Sequence, residues 1–526
     1  MPKGVLPIEI PVPRQGFIRR VLPHKAPADS VVDGQNMLLT DDDTYMVRPG
    51  YLPMATTGPG GRILGIFGFR DISNAVRLVA ANRTQWWSFD FGTRTWTNIT
   101  GTVNVGDNNI PNRFVTFLQA NVTWLIGVNG IDKPHRWNPA AATYVDIADA
   151  PICRDIEIVT RRAVTVHTTE SGTQFISRIR WSAVDDVTSW PANAFIDISD
   201  AGTIAIAVRR LSRNSAVVYR QEDAWLLTSQ PGNDQNAFRI DSLGPIVGPC
   251  SPSALLGVSG VHYYLGVDSR IYRFDGVRPT VISDPINSFL QQELITDFRS
   301  QTHCALLYAD RRLCFFFAAT GAQSPRTAVF YHLDTEAWDV PQQFTEDITA
   351  STQIFEGTQA TWASMTGTWN SPDPGMTTWE SSISVDELVM LLGTGTGQVH
   401  RFGRVNTNDD NGTAIVFNWT MPIVAPNPQQ TLLFNELESY FTKATTSQSV
   451  TVAVNGYLQP LDPSTSVLST VHTISTGGRY RAAAAADFVT YYPGLQVTYS
   501  GTTSNNKLVE WGGGVLFISP EEDAVP

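Results

Sequence analysis

Carboxylates set side by side, glycine-rich turns, histidines and cysteines are the groups through which this 526-residue chain could do chemistry, and each falls short of a site. The acid pairs Asp185-Asp186 and Glu222-Asp223 would serve a glycosidase only if both carboxyls faced one substrate. Neighbours in a strand point to opposite faces, so these pairs read as turn residues. Gly393-Thr-Gly-Thr-Gly397 has the glycine count of a phosphate cradle, but it lies between two strand patterns with no helix behind it and no lysine after it. It reads as a hairpin. Asn406-Thr-Asn-Asp-Asp-Asn-Gly412 resembles part of a calcium loop, with the glycine out of register and the bidentate glutamate missing. The eight histidines form no HExxH or HxxxH pair, and His262, His303 and His332 fall within strand patterns. No G-x-S-x-G elbow is present. Cys153, Cys250, Cys304 and Cys314 include no CxxC pair, which argues against zinc and against a disulfide framework. Cys304 and Cys314 are expected as near neighbours across a hairpin turning at Ala309-Asp310, in the state of buried free thiols that suits assembly in a reducing cytoplasm. The expectation is a chain with no catalytic residue, no cofactor and no metal, and not an enzyme.

The elements that would carry these residues repeat. Seven stretches of alternating apolar residues each end in a short turn with an aromatic and an acidic or amide residue. One corner residue per unit gives Phe89, Trp137, Trp181, Trp225, Phe274, Leu333 and Phe402. A period near fifty residues marks repeated supersecondary units, with the longer gaps holding loop insertions. Clear copies are Trp87-Ser-Phe-Asp-Phe-Gly-Thr-Arg-Thr-Trp96, Tyr272-Arg-Phe-Asp-Gly276 and Tyr331-His-Leu-Asp-Thr-Glu-Ala-Trp338. Asp, Asn and Gly belong at the turn because Asx side chains bond their own backbone and Gly accepts positive φ. The aromatic beyond the turn packs over the neighbouring sheet. With 40 Gly, 32 Pro and 10% aromatic residues, the composition gives many short strands and many turns. The fold class is all-β: a β-propeller of seven candidate blades, with six as the second choice, followed by a C-terminal β-sandwich. One helix is expected, Ile286 to Phe298 after Asp284-Pro285, as an insertion between blades.

Residues 1–36 carry six prolines and five Lys or Arg without strand periodicity, and read as an extended arm that folds on a partner. Deleting residues 2–30 is expected to leave a folded monomer. The propeller is assigned to 37–405, a linker to 406–412 and the sandwich to 413–526. The last assignment rests on runs such as Ala414–Trp419, Leu432–Phe441, Ser449–Val454 with an Asn455-Gly456 hairpin, Leu495–Tyr499 and Gly514–Ile518. Neither a signal-peptide h-region nor a transmembrane run is found, so no membrane insertion is expected.

The net charge is −12, and the acid excess lies in the folded body. Residues 37–412 hold 28 basic and 38 acidic side chains, and 413–526 hold four and eight. A protein that grips nucleic acid by its phosphates needs the opposite sign.

Ser88–Trp96 resembles the Asp-box turn of sialidase propellers with one residue too many, and that box is a structural turn rather than the chemistry. Trp338-Asp339 occurs once, without the Gly-His pair of WD repeats. A broader resemblance joins Asn36-Met-Leu-Leu and Val47-Arg-Pro-Gly-Tyr-Leu52 to Val217-Val-Tyr-Arg-Gln-Glu-Asp-Ala-Trp-Leu-Leu227, Gly244-Pro-Ile-Val-Gly-Pro-Cys-Ser-Pro252 and Tyr263–Gly276. It continues through Leu433–Tyr440 and Val450–Gly456. Together these resemble the tail hub, or nozzle, proteins of short-tailed bacteriophages. The resemblance implies a virion protein, assembled in the host cytoplasm, six copies of which form a ring below the portal and adaptor. Tail fibres or spikes would attach to it, and double-stranded DNA would pass without sequence-specific binding. The alternative is a glycan-binding or glycan-cleaving propeller, with Trp362, Trp369 and Trp379 as sugar-stacking candidates.

Overall fold

Strands that bury both faces must be apolar at successive positions, and Val76–Ala81 shows what this achieves. Leu78 and Ala80 pack against one neighbouring sheet, while Val79 and Ala81 pack against the other, and all four are fully buried. The computed structural model describes residues 5–198, 203–232, 234–308, 310–356, 387–403, 409–424, 432–443, 448–457, 465–474, 478–483, 494–503 and 510–520.

Seven antiparallel sheets of this kind form a closed ring, so the chain is a seven-bladed β-propeller. Blade 1 is Gly65–Arg70, Val76–Ala81, Trp86–Asp90 and Thr95–Asn98. Blades 2 to 6 begin at Arg113–Gln119, Ile152–Val159, Ala205–Arg210, Leu255–Val258 and His303–Leu307. Blade 7 takes Ile348–Glu356, Glu387–Thr394 and Val399–Phe402 from one end of the ring and its fourth strand, Tyr51–Pro53, from the other. That pairing fastens the ring, since the first strand of blade 7 lies against the first strand of blade 1. Six of the seven corner residues lie on third strands, and Leu333 follows the end of one. Six of the interfaces between blades have their own apolar cluster, such as Trp86 with Phe114, Trp137 and Tyr144 between blades 1 and 2, while that between blades 5 and 6 runs on into the sandwich.

The sandwich has two sheets. One runs Met37–Leu39, Tyr45–Val47, Glu510–Pro520, Leu432–Lys443, Gly478–Ala483, with Leu6–Ile10 also paired to Glu510–Pro520. The other runs Asp33–Gln35, Val416–Thr420, Gly494–Thr502, Gln448–Tyr457, Thr465–Ile474. Between them Trp419 stacks on Tyr499 at 4.6 Å and Trp511 closes over both.

Several expectations are corrected. The N-terminal segment is no free arm: Leu6–Ile10 and Asp33–Gln35 are sandwich strands, and Phe17 is buried with its N–H on the Trp338 carbonyl at 2.7 Å. Its apolar residues find partners far along the chain that local periodicity does not reveal. Met37–Val47 belongs to the sandwich rather than to the propeller. Within the expected linker, Asp409–Asp410 lies beside Tyr51 at the edge of blade 7. Asn455-Gly456 is not a hairpin turn but lies inside a strand, next to a bulge, because that strand is paired on both sides. The insertion helix is present between blades 5 and 6 but short, Asn287–Glu293, with 3-10 turns on either side at Asp284–Ile286 and Thr296–Gln301.

Propeller and sandwich share one apolar cluster, in which Leu313, Phe315 and Val329 of blade 6 join Trp338, Val31, Tyr45 and Trp419. Polar links run along the outer edge of blade 6. The Leu39 N–H donates to Asp339 at 2.9 Å, and Gln342 Nε2 donates to the Met37 carbonyl at 3.0 Å.

Candidate functional site

Charged residues inside apolar strands need partners, because an ion taken out of water loses its solvation. The first strand of blade 3, Ile152-Cys-Arg-Asp-Ile-Glu-Ile-Val159, carries three charges beside the propeller axis. Asp155 is fully buried and is satisfied from two neighbouring blades. It accepts from Arg113 Nε of blade 2 at 3.2 Å, from the Val208 N–H of blade 4 at 2.9 Å, and from Arg209 Nη1 of blade 4 at 3.2 Å. Arg209 then reaches the turn leading into blade 5, donating to the Pro252 carbonyl at 2.6 Å and the Leu255 carbonyl at 3.3 Å. From the far side, Cys304 Sγ of blade 6 donates to the Ser253 carbonyl at 3.3 Å. Burial, and after it the Arg209 cation, lower the pKa of Arg113.

Where the first strands begin, side chains cross the axis. Arg62, just ahead of blade 1, donates to Gln301 Oε1 and Ser324 Oγ of blade 6, each at 2.7 Å. Gln301 Nε2 donates to Asn109, ahead of blade 2, at 3.0 Å. Blades 1 and 2 are not ring neighbours of blade 6, so these bonds cross the centre of the ring. Burial lowers the pKa of Arg62 as well.

The residues singled out from sequence lie apart from one another. Asp185 pairs with Arg161, whereas Asp186 accepts from Thr188 and from Gln119 Nε2, the latter at 2.8 Å. Asp223 pairs with Arg220, and Glu222 is exposed. Asp90 of the Asp-box-like turn accepts from the Gly92 and Thr93 N–H groups, which hold its carboxyl below the usual range. Gly393–Gly397 forms the hairpin of blade 7. Of the calcium-loop-like run, Asp410 is spent on Arg48 and Asp409 accepts from the Gly412 N–H; residues 404–408 lie outside the described residues. Trp362, Trp369 and Trp379 also lie outside them.

His262 sits between Tyr219 Oη at 2.8 Å and the Arg210 carbonyl at 3.0 Å, and burial brings its pKa down to about 4. His303 stacks on Phe316 at 4.8 Å and is likewise brought down to about 4 by burial. His332 lies 3.3 Å from Asp41. All four cysteines are free. Cys304 and Cys314 stand opposite Phe315 and Ala305 in the hairpin, one register step apart, and so face opposite sides of the sheet. Burial pushes Cys250 and Cys304 up to about 12. Among the described residues no cluster of three or more His, Cys, Asp or Glu could hold a metal ion.

Sequence reasoning missed the axial cluster. Its signal was available in the adjacent charges Arg154-Asp155 and in Glu157, set among isoleucines in a strand that the repeat places innermost.

No family model matches this sequence, and no curated protein matches it. Among solved structures it is similar to Chaetomium thermophilum Raptor, at 8% identity and a TM-score of 0.39, over 68% of this chain and 30% of that one. It is also similar to the β-propeller domain of Myceliophteria thermophila Cps50 (Swd1), at 8% identity and a TM-score of 0.40, over 67% of this chain and 99% of that one.

Proposed function

We propose that this chain is a structural subunit of the tail of a short-tailed bacteriophage, six copies of which close a ring below the portal and adaptor and form a conduit for double-stranded DNA. The observation that carries this reading is the rigid union of two unlike bodies in one chain. The propeller and sandwich share a core, the chain passes directly from Met37–Val47 of the sandwich into Tyr51–Pro53 of blade 7, and the two bodies are bonded along blade 6. A ring of identical copies needs two different faces held at a fixed angle, since each contact is head to tail and the rotation must close. The net charge of −12 supports passage of DNA rather than its capture, because acidic walls repel phosphates. The motifs of the sequence resemblance support it too: Tyr219-Arg220 to Trp225 is the central hairpin of blade 4, and Tyr263–Phe274 that of blade 5.

Tail fibres or spikes would dock on the outside of this ring, and the protein would act in the virion after assembly in the host cytoplasm. The glycan reading receives less support, since Asp185, Asp186 and Asp223 are engaged in local turns and ion pairs.

Light scattering and negative-stain microscopy of the purified protein, alone and with a portal and adaptor complex, test the proposal. Sixfold rings with a central hole, formed alone or on the connector, are the expected result. A monomer indifferent to the connector overturns it, and retention or cleavage of a glycan panel by that monomer would favour the alternative.

A further inference from the structure

We propose that a hollow in the sandwich, beside the N-terminal segment, binds a neutral sugar unit of a glycan. The inference does not rest on the ring reading, and it puts the sugar on the sandwich rather than on the propeller.

Two different strands flank one side of Glu510–Pro520. Pairing with Leu6–Ile10 stops at Gly514 and pairing with Tyr45–Val47 starts at Trp511, so Gly512 and Gly513 face a gap between them. On the other side the same two glycines stand against Tyr440 as a bulge, and Gly513 takes φ +108°. With no side chain on Gly512, Gly513 or Gly514, a cavity of about 700 Å³ opens there. Its walls are apolar, from Tyr440, Pro7, Pro11 and Val515, and its rim is polar, from Glu9, Arg14, Asp29 and Asp43. Arg14 Nη2 and Asp43 Oδ2, 2.8 Å apart, tie the chain leaving Leu6–Ile10 to the turn ahead of Tyr45–Val47. A second hollow, of about 370 Å³, shares Arg14 and Asp43 and continues to His332 and Asp334 of blade 6, which gives a glycan room beyond one unit.

The volume is that of a ligand site, and the rim selects the ligand. An anion meets three carboxylates against one arginine. A metal ion finds no cluster of ligands among the described residues. A cationic ligand is not called for either, because Asp43 already has Arg14 and Asp29 accepts from Gln15 Nε2 at 2.9 Å. These bonds hold the carboxylates in place and leave lone pairs over, since one carboxylate accepts at about four sites. The ligand that suits this rim has hydroxyls, which donate to carboxylates and accept from a guanidinium. The walls ask for a carbon skeleton that lies against an aromatic ring and prolines. A sugar ring offers both.

The test is calorimetric titration of the full chain with neutral oligosaccharides of glucose, galactose, mannose and N-acetylglucosamine, and with a trilysine peptide as the charged rival. Saturable binding of at least one oligosaccharide is expected. Glu9→Ala and Tyr440→Ala should each weaken it about tenfold, while Asp297→Asn, at an exposed position ahead of blade 6, leaves it unchanged. Glu9 is exposed, so Glu9→Ala should melt as the parent does, and it keeps the test open should Tyr440→Ala fail to fold. Heats that saturate with none of the sugars overturn the proposal. Parent-like affinity in a folded Glu9→Ala or Tyr440→Ala protein overturns it too, by placing the sugar elsewhere, as on the propeller. Tighter binding of trilysine than of any sugar would also overturn it and assign the hollow to a basic peptide.

Discussion

Arg48 and Asp410, 362 residues apart, form a two-point ion pair of 2.6 and 2.7 Å with both side chains fully buried. The remaining guanidinium N–H groups donate to Asn36 Oδ1 at 3.0 Å, the Pro49 carbonyl at 3.1 Å and the Gln343 carbonyl at 2.7 Å. Every donor of Arg48 is therefore used, where the sandwich, blade 6 and blade 7 meet. Asn36 itself has φ +60° and donates through Nδ2 to the Val416 carbonyl at 2.7 Å.

Breaking that pair leaves one charge buried and alone. Asp410→Asn or Arg48→Met should each cost about 3–5 kcal/mol in urea unfolding, and the double variant Arg48→Met/Asp410→Leu should cost clearly less than the two together. Single variants within about 1 kcal/mol of the parent would show that the pair is not a fastener.

Gly50 is required beside it by close approach rather than by conformation. A Cβ there would lie 1.8 Å from the Asp409 carbonyl oxygen, a backbone atom that cannot swing aside. Gly50→Ala should destabilise by about 3 kcal/mol and loosen the Tyr51–Pro53 strand, read as faster amide exchange at Leu52. Parent-like exchange would refute it.

The N-terminal segment is part of the fold, so its removal should unfold rather than merely release. Phe17 is buried with its ring 5.7 Å from Phe289, edge to face. Phe17→Ala is expected to cost about 3–4 kcal/mol. Deletion of residues 2–30 should lower the melting temperature markedly or give aggregate, in contrast to the folded monomer expected of a free arm. Unchanged melting of the truncated protein would show that the segment adds nothing to the fold.

Acid should weaken the protein before its carboxylates titrate. His262 and His303 have folded pKa values of about 4, below the value near 6.5 of an unfolded chain. Between those limits the unfolded state binds more protons, so stability is full above about pH 6.5 and declines as the pH falls toward 4. From pH 7.5 to 5 each histidine should account for about 2 kcal/mol, and buried His135 and His400 and half-buried His167 act in the same direction. His262→Gln should remove its share of the slope in denaturation series at the two pH values, and an unchanged slope would exclude this histidine as a source.

The propeller is legible in the chain because its information is local. Each blade repeats the same alternation and the same Asx or Gly turn, as at Asp90 with Gly92 and at Asp275, whose carboxyl the Val277 N–H holds. The period alone therefore puts corner residues such as Phe89, Trp181 and Phe402 on the third strands of blades 1, 3 and 7. The joins are not legible. Tyr51 pairs with Phe402, Leu6 with Ile518 and Arg48 with Asp410, across hundreds of residues, and such pairings leave no period. The proline-rich segment reads as a solvated arm for the same reason, since Phe17 and Val31 have no local apolar partners. The charges of Arg154, Asp155 and Arg209 stand plainly in the sequence, but only closure of seven blades brings them to one axis. Local backbone chemistry determines the blades, whereas the path of the chain ends, and with it the junction and the axial cluster, is decided by which buried surfaces and charges find each other on closing the ring.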